Sequence, residues 1–233
     1  MKDSTNHFLM RVINLFMWRG KLAGQENLPR VGPAVFIANH LETIGPIAAV
    51  SSIPLRLHVW SNMLDEENSV ELLKLYFAER TLHLKPPISD WVAKTLSKIT
   101  VPLMGSLDYI PIHVGDYRRM ADTLSMSVNL LRQGKFLLLF PEDGMLPADP
   151  LTGINQFTHI FPRLGEMYYQ QTGTCLQFYP VAIHAQKRRV MVGQPVAFNP
   201  LNPVGLERRR LRDLMEGSIK TMYLLPDPLI HAG

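Results

Sequence analysis

Two short stretches of this chain carry the polar residues best suited to chemistry. The first is Asn39-His40-Leu41-Glu42-Thr43-Ile44-Gly45-Pro46, which sets an imidazole two residues from a carboxylate. The second is Phe140-Pro141-Glu142-Asp143-Gly144, which sets two carboxylates before a glycine. An imidazole titrates near neutral pH, so it can take a proton and give it back. Each stretch follows an apolar run: Ala-Val-Phe-Ile-Ala at 34–38 and Phe-Leu-Leu-Leu-Phe at 136–140. Runs of that length bounded by turn residues read as buried strands. Open α/β sheets gather their ligands beyond the carboxyl ends of such strands.

Strands and helices must alternate to hold these two ends in place. Further strands are expected at 55–60, 109–112, 176–183 and 190–192. Pro46 suits the first turn of a helix over 46–51. Other helices are expected at 69–80, 91–99, 118–132, 164–171 and 206–224. Gly134 and Gly173 provide stops after two of them. Alternation of this kind predicts a single α/β domain with a mostly parallel central sheet flanked by helices. No internal repeat, low-complexity tract or linker divides it.

Of the 233 residues, 46% are apolar and 19% charged, enough for a real core. The net charge of +4 suits an acidic partner: a phosphate-bearing substrate, an anionic membrane or a nucleic acid. The single cysteine, Cys175, rules out an internal disulfide and reads as a buried thiol leading into an apolar run. No run reaches the ~18 apolar residues of a membrane span. Phe8, Leu9, Val12, Ile13, Phe16 and Met17 recur at helical spacing, with Trp18, Arg19 and Lys21 behind them. Residues 1–21 are therefore expected to form an amphipathic helix, lying in a bilayer interface or packed on its own domain. No small-residue cleavage site follows it, which argues against a secretory signal. The domain proper is expected over 22–233. No paired cysteines or His-x-x-x-His spacing mark a metal site, and no glycine-rich loop marks a nucleotide site.

The two polar stretches, taken with others, resemble the lysophosphatidic acid and glycerol-phosphate acyltransferases. The family's N-H-x-x-x-x-D-P motif is matched by Asn39 to Pro46 with Gly45 in the aspartate position, and F-P-E-G by Phe140-Pro141-Glu142-Asp143-Gly144. A P-V-A-I run stands at Pro180-Val181-Ala182-Ile183, and Glu26-Asn27-Leu28-Pro29 precedes the first strand. Each match alone is weak; their ordered set is specific.

The resemblance implies transfer of a fatty acyl group from a coenzyme A or acyl carrier protein thioester to a hydroxyl of a lysophospholipid or glycerol-phosphate-type acceptor. His40 would be the general base, and no resident cofactor is expected. Glu142 and Gly144 would lie at the acceptor site. In the family, the aspartate five positions after the histidine orients the ring. In a serine protease triad, changing the orienting aspartate to its amide costs about 10⁴ in kcat. Three readings stay open: Glu42 orients His40 instead, a group elsewhere in the chain does so, or the protein is a weak or inactive catalyst that binds lipid or acyl carrier protein. The family's acceptor-binding arginine falls at Val114. Arg118 and Arg119, opening the next helix, are candidates to replace it, since helix N-termini favour anions. A solvated basic helix start is the other reading. His113 and His184 are expected to be structural or exposed.

The expected partners are a lipid acceptor, the acyl thioester carrier and a membrane surface, with the protein peripheral at the cytoplasmic face. The apolar segment 96–107 is either part of that contact or ordinary core. Arg208, Arg209, Arg210 and Arg212 lie on one helix without interleaved stacking aromatics, which disfavours a nucleic-acid partner.

Overall fold

The computed structural model describes residues 18–41, 44–61, 82–106, 109–112 and 117–226, together with 70, 74, 78 and 79. Most of the expected helix over 69–80 and most of that over 1–21 lie outside the described residues. Among the described residues, eight strands form one sheet: β1 Lys21–Ala23, β2 Ala34–Ala38, β3 Leu57–Ser61, β4 Tyr109–Pro111, β5 Phe136–Leu139, β6 Gln177–His184, β7 Arg189–Val192 and β8 Val196–Ala197. Their order is β1-β7-β6-β2-β5-β3-β4, with β8 on the outer side of β6. From β6 to β4 every neighbouring pair is parallel. β7 and β8 run antiparallel to β6. The expectation of a mostly parallel sheet flanked by helices therefore holds.

The helices are α1 Ile44–Ser52, α2 Ile88–Ser106, α3 Tyr117–Arg132, α4 Arg163–Thr172 and α5 Val204–Leu224. All five residues of β2 are buried, and their side chains divide by the strand's period of two. Val35 and Ile37 enter one apolar cluster, with residues of α3, α4 and α5. Ala34, Phe36 and Ala38 enter the other, with Ala48, Ala49 and Val50 of α1. In β5, Leu137 and Leu139 likewise face the first cluster while Leu138 faces the second. Each buried Val, Ile, Leu or Phe among them contributes about 1.5–3 kcal/mol by leaving water, which fixes the strands' register against both layers.

On α3, Met120, Leu124, Val128 and Leu131 are buried at spacings of four, four and three. That stripe seats the helix on the sheet. Gly173, in the left-handed region at φ 69°, closes α4 with its N–H on the Tyr169 carbonyl at 2.8 Å.

The sequence did not reveal β1 and β8, which are three and two residues long. α2 runs well past the expected 91–99, because its apolar C-terminal half lacks the periodic polar residues that mark a helix. Cys175 is exposed, correcting the expected burial: it falls in the turn after α4, and burial begins only at Leu176.

Candidate functional site

The parallel strands β2 and β5 are hydrogen-bonded neighbours, so their carboxyl ends open side by side at one edge of the sheet. Asn39, the first residue beyond β2, is wholly buried. Its Nδ2 donates to the Ile183 carbonyl at 3.0 Å, and the Ile183 N–H donates to its Oδ1 at 2.7 Å. One amide side chain thus imitates a strand partner and clasps the end of β2 to β6. The sequence showed Asn39 in its motif but did not reveal this role.

His40 follows at the surface. Its ring stands edge-on to the Phe140 ring, with centroids 5.5 Å apart at 90°. Its backbone N–H donates to Oε1 of Glu142. The other carboxylate oxygen of Glu142 accepts the Asn155 N–H at 2.8 Å. Burial pushes the Glu142 carboxyl above its ordinary range, opposed by these two donors and by Lys220; Glu216 adds a smaller upward push.

Glu142 sits in a short ladder made by the chain turning back on itself. It bridges Phe157 in antiparallel fashion. The Asp143 N–H donates to the Gln156 carbonyl at 2.9 Å, and the Thr158 N–H to the Pro141 carbonyl at 2.8 Å. From α5, Glu216 takes the Phe157 N–H on Oε2 at 2.8 Å and the Lys220 ammonium on Oε1 at 2.7 Å. Lys220 also lies 3.8 Å from Asp149, whose other oxygen caps the turn at Leu151 and Thr152. The C-terminal helix therefore braces the loop that holds His40. Its only sequence signal was a Glu-Lys pair four residues apart on a helix.

Gly45 falls in the first turn of α1 and is buried. A Cβ there would meet Leu41 Cβ at 3.6 Å, the Asn39 carbonyl oxygen at 3.7 Å and the His40 carbonyl carbon at 3.8 Å, all ordinary contacts. Gly144 is exposed and open on every side. Asp143 turns its Oδ1 back onto the Met145 N–H at 3.0 Å, closing its own loop.

The other candidates divide. Glu42, His113 and Val114 lie outside the described residues. Arg118 and Arg119 are exposed at the start of α3. The strand before them, β4, stands three strand spacings from β2, about 14 Å along the edge. His184 is buried, stacked on Tyr223 with centroids 4.4 Å apart, and accepts the Lys187 N–H on Nδ1 at 3.3 Å. Arg208 pairs with Glu166, Arg210 with Glu207 and Arg212 with Asp213, so the α5 arginines largely face internal carboxylates. Among the described residues, no group of three His, Cys, Asp or Glu is placed to hold a metal. No helix among them is long and apolar enough to cross a membrane.

No family model matches the sequence. No curated protein matches it either. The fold does match solved structures, among them the 1-acyl-sn-glycerophosphate (LPA) acyltransferase PlsC from Thermotoga maritima. The TM-score is 0.56 at 12% identity, covering 98% of this chain and 85% of that one. The chain thus has the mixed α/β fold of that acyltransferase.

Proposed function

We propose that this protein is an acyltransferase of lipid biosynthesis. It moves a fatty acyl group from a thioester of coenzyme A or acyl carrier protein to a hydroxyl of a lysophospholipid or glycerol-phosphate-type acceptor. The observation that carries the reading is an exposed His40 fixed through its backbone to Glu142, at adjacent strand ends of an acyltransferase-like fold. The His40 imidazole takes the acceptor's hydroxyl proton as its oxygen attacks the thioester carbonyl. The carbon–sulfur bond then breaks, an ester forms, and the proton passes to the departing thiolate. Glu142 and the open loop at Gly144 border the acceptor; Arg118 and Arg119 lie further along the same edge for its polar end, and Glu42 is the nearest carboxylate in sequence to His40. In this reading residues 22–233 are the catalytic domain, residues 1–21 carry an accessory amphipathic helix that ends before Lys21 enters β1, and the protein works at the cytoplasmic face of a membrane.

The purified protein, offered acyl thioesters of several lengths with lysophospholipid or glycerol phosphate, tests the reading. His40→Ala is expected to lower transfer about 10²- to 10⁴-fold. An unchanged rate in that variant overturns the assignment of the base.

A second reading follows from Gly45, which brings no carboxylate to the position five residues after His40. There the protein binds lipid or acyl carrier protein without turnover. Ligand binding with no transfer from any donor would select it.

A further inference from the structure

The outer face of α2 departs from what a solvated helix should present. At 100° per residue, Ser89, Ala93 and Ser97 fall on one side, and all three are buried. The opposite side carries Ile88, Trp91, Lys94, Thr95 and Lys98, every one exposed. Ile88 is 58% exposed and Trp91 69%, although a large aromatic ordinarily finds cover. Leu82 and Lys85, exposed just ahead of the helix, extend the same mixture. The chain's other tryptophans are covered: Trp18 is 2% exposed, and Trp60 is part-buried with its Nε1–H on Ser127 Oγ at 2.9 Å.

The charges on this face have one sign. Asp90, at its margin, is taken up by Lys74 at 2.7 Å. Glu79 accepts from the Ser89 hydroxyl at 3.1 Å. Lys85, Lys94 and Lys98 meet no carboxylate among the described residues. An indole and an isoleucine among lysines that meet no described carboxylate match an anionic bilayer surface. The rings enter the headgroup boundary, while the lysine stems lie along apolar surface and hold their ammonium groups among phosphates.

The position is also suitable. α2 ends at Ser106 and β4 begins at Tyr109, so the helix returns the chain to the start of a parallel strand. A helix that leads into a parallel strand ordinarily runs antiparallel to it, which would carry the first turns of α2 towards the carboxyl ends of the strands.

We propose that the Ile88-Trp91-Lys94-Lys98 face docks this protein on an anionic lipid bilayer, which deepens the acyltransferase reading by naming the surface through which it would meet its lipid. The occupant is the bilayer; an acidic protein, such as an acyl carrier, is the competing outcome.

The full chain is titrated with vesicles of phosphatidylcholine alone and of phosphatidylcholine with phosphatidylglycerol, following tryptophan emission and sedimentation. Anionic vesicles are expected to shift the emission to the blue, with high salt weakening the binding. Trp91→Phe should remove most of the shift. Trp91→Glu should weaken sedimentation at least tenfold, and Lys94→Glu with Lys98→Glu by roughly 25-fold or more. Leu201→Glu, at a still more exposed site ahead of α5, should change nothing. All these positions are exposed, and unchanged circular dichroism confirms the fold. The proposal is overturned if anionic vesicles do not bind, if Trp91→Glu binds as well as wild type, or if the face saturates with acyl carrier protein instead. Binding is read without turnover. A protein that docks but does not transfer acyl groups keeps this inference and loses the function reading; one that transfers to soluble acceptors without docking does the reverse.

Discussion

The His40 backbone N–H donates to the Glu142 carboxylate, which also holds the Asn155 N–H. The first polar stretch is therefore fastened to the second by a main-chain bond, independent of how the imidazole turns. Glu142 acts first as a structural clamp, and any contact with substrate uses the lone pairs that remain.

Glu142→Ala removes both bonds and leaves two donors without that acceptor. Hydrogen bonds to charged groups contribute about 1.5–3 kcal/mol each, so a loss of about 2–4 kcal/mol is expected. Glu142→Gln keeps one good acceptor and should lose about half as much. Denaturant unfolding measures both. Equal stability of Ala and wild type would show that the clamp is not holding the loop.

The same carboxylate gives a signed pH effect. Burial raises its pKa in the folded chain above the ordinary 4.5. The folded state then binds the proton more tightly than the unfolded one. The associated stability is complete below about 4.5 and is lost as pH rises through the raised value. Glu142→Gln cannot titrate. The gap in stability between wild type and Glu142→Gln should therefore shift against wild type as pH rises through this window. A gap independent of pH would contradict the raised pKa.

Much of this was legible in the residues. The buried strands were, because Ala34 to Ala38 and Phe136 to Leu139 are apolar on both faces, as a sheet covered on both sides requires. The ends of α4 were visible through Gly173. The edge strands β1 and β8 were not, since two or three residues show no period. The clasp at Asn39 and the brace at Glu216 were hidden for another reason. Both join groups far apart in sequence, Asn39 to Ile183 and Glu216 to Phe157, and a local pattern carries no sign of the partner.

Asn39 should be the least replaceable polar residue of this edge. Asn39→Ala would leave the Ile183 N–H and carbonyl buried without a partner, at about 1–3 kcal/mol for each group. Asn39→Asp keeps the acceptor, loses the donor and buries a charge, so it should be no better. Thermal unfolding checks both. A loss under about 0.5 kcal/mol for Ala would mean that β2 and β6 need no clasp there.

Gly45→Asp addresses the missing orienting group. The Cβ fits, since its nearest neighbours stand 3.6 to 3.8 Å away. A carboxylate in the first turn of α1 faces the positive end of the helix dipole, and glycine's backbone freedom is removed. Stability is therefore expected to hold or to rise by about 0.5–1 kcal/mol. The new side chain starts beside the His40 backbone, its Cβ 3.8 Å from the His40 carbonyl carbon. If His40 is a base held in a poor orientation, transfer should rise roughly 10- to 10⁴-fold, and His40→Ala in the same background should abolish the gain. A stable Gly45→Asp protein with unchanged transfer would mean that another group already orients the ring. A stable variant with no transfer at all would leave the binding-only reading standing. Stability and rate measured on one preparation separate these outcomes from a misfolded protein.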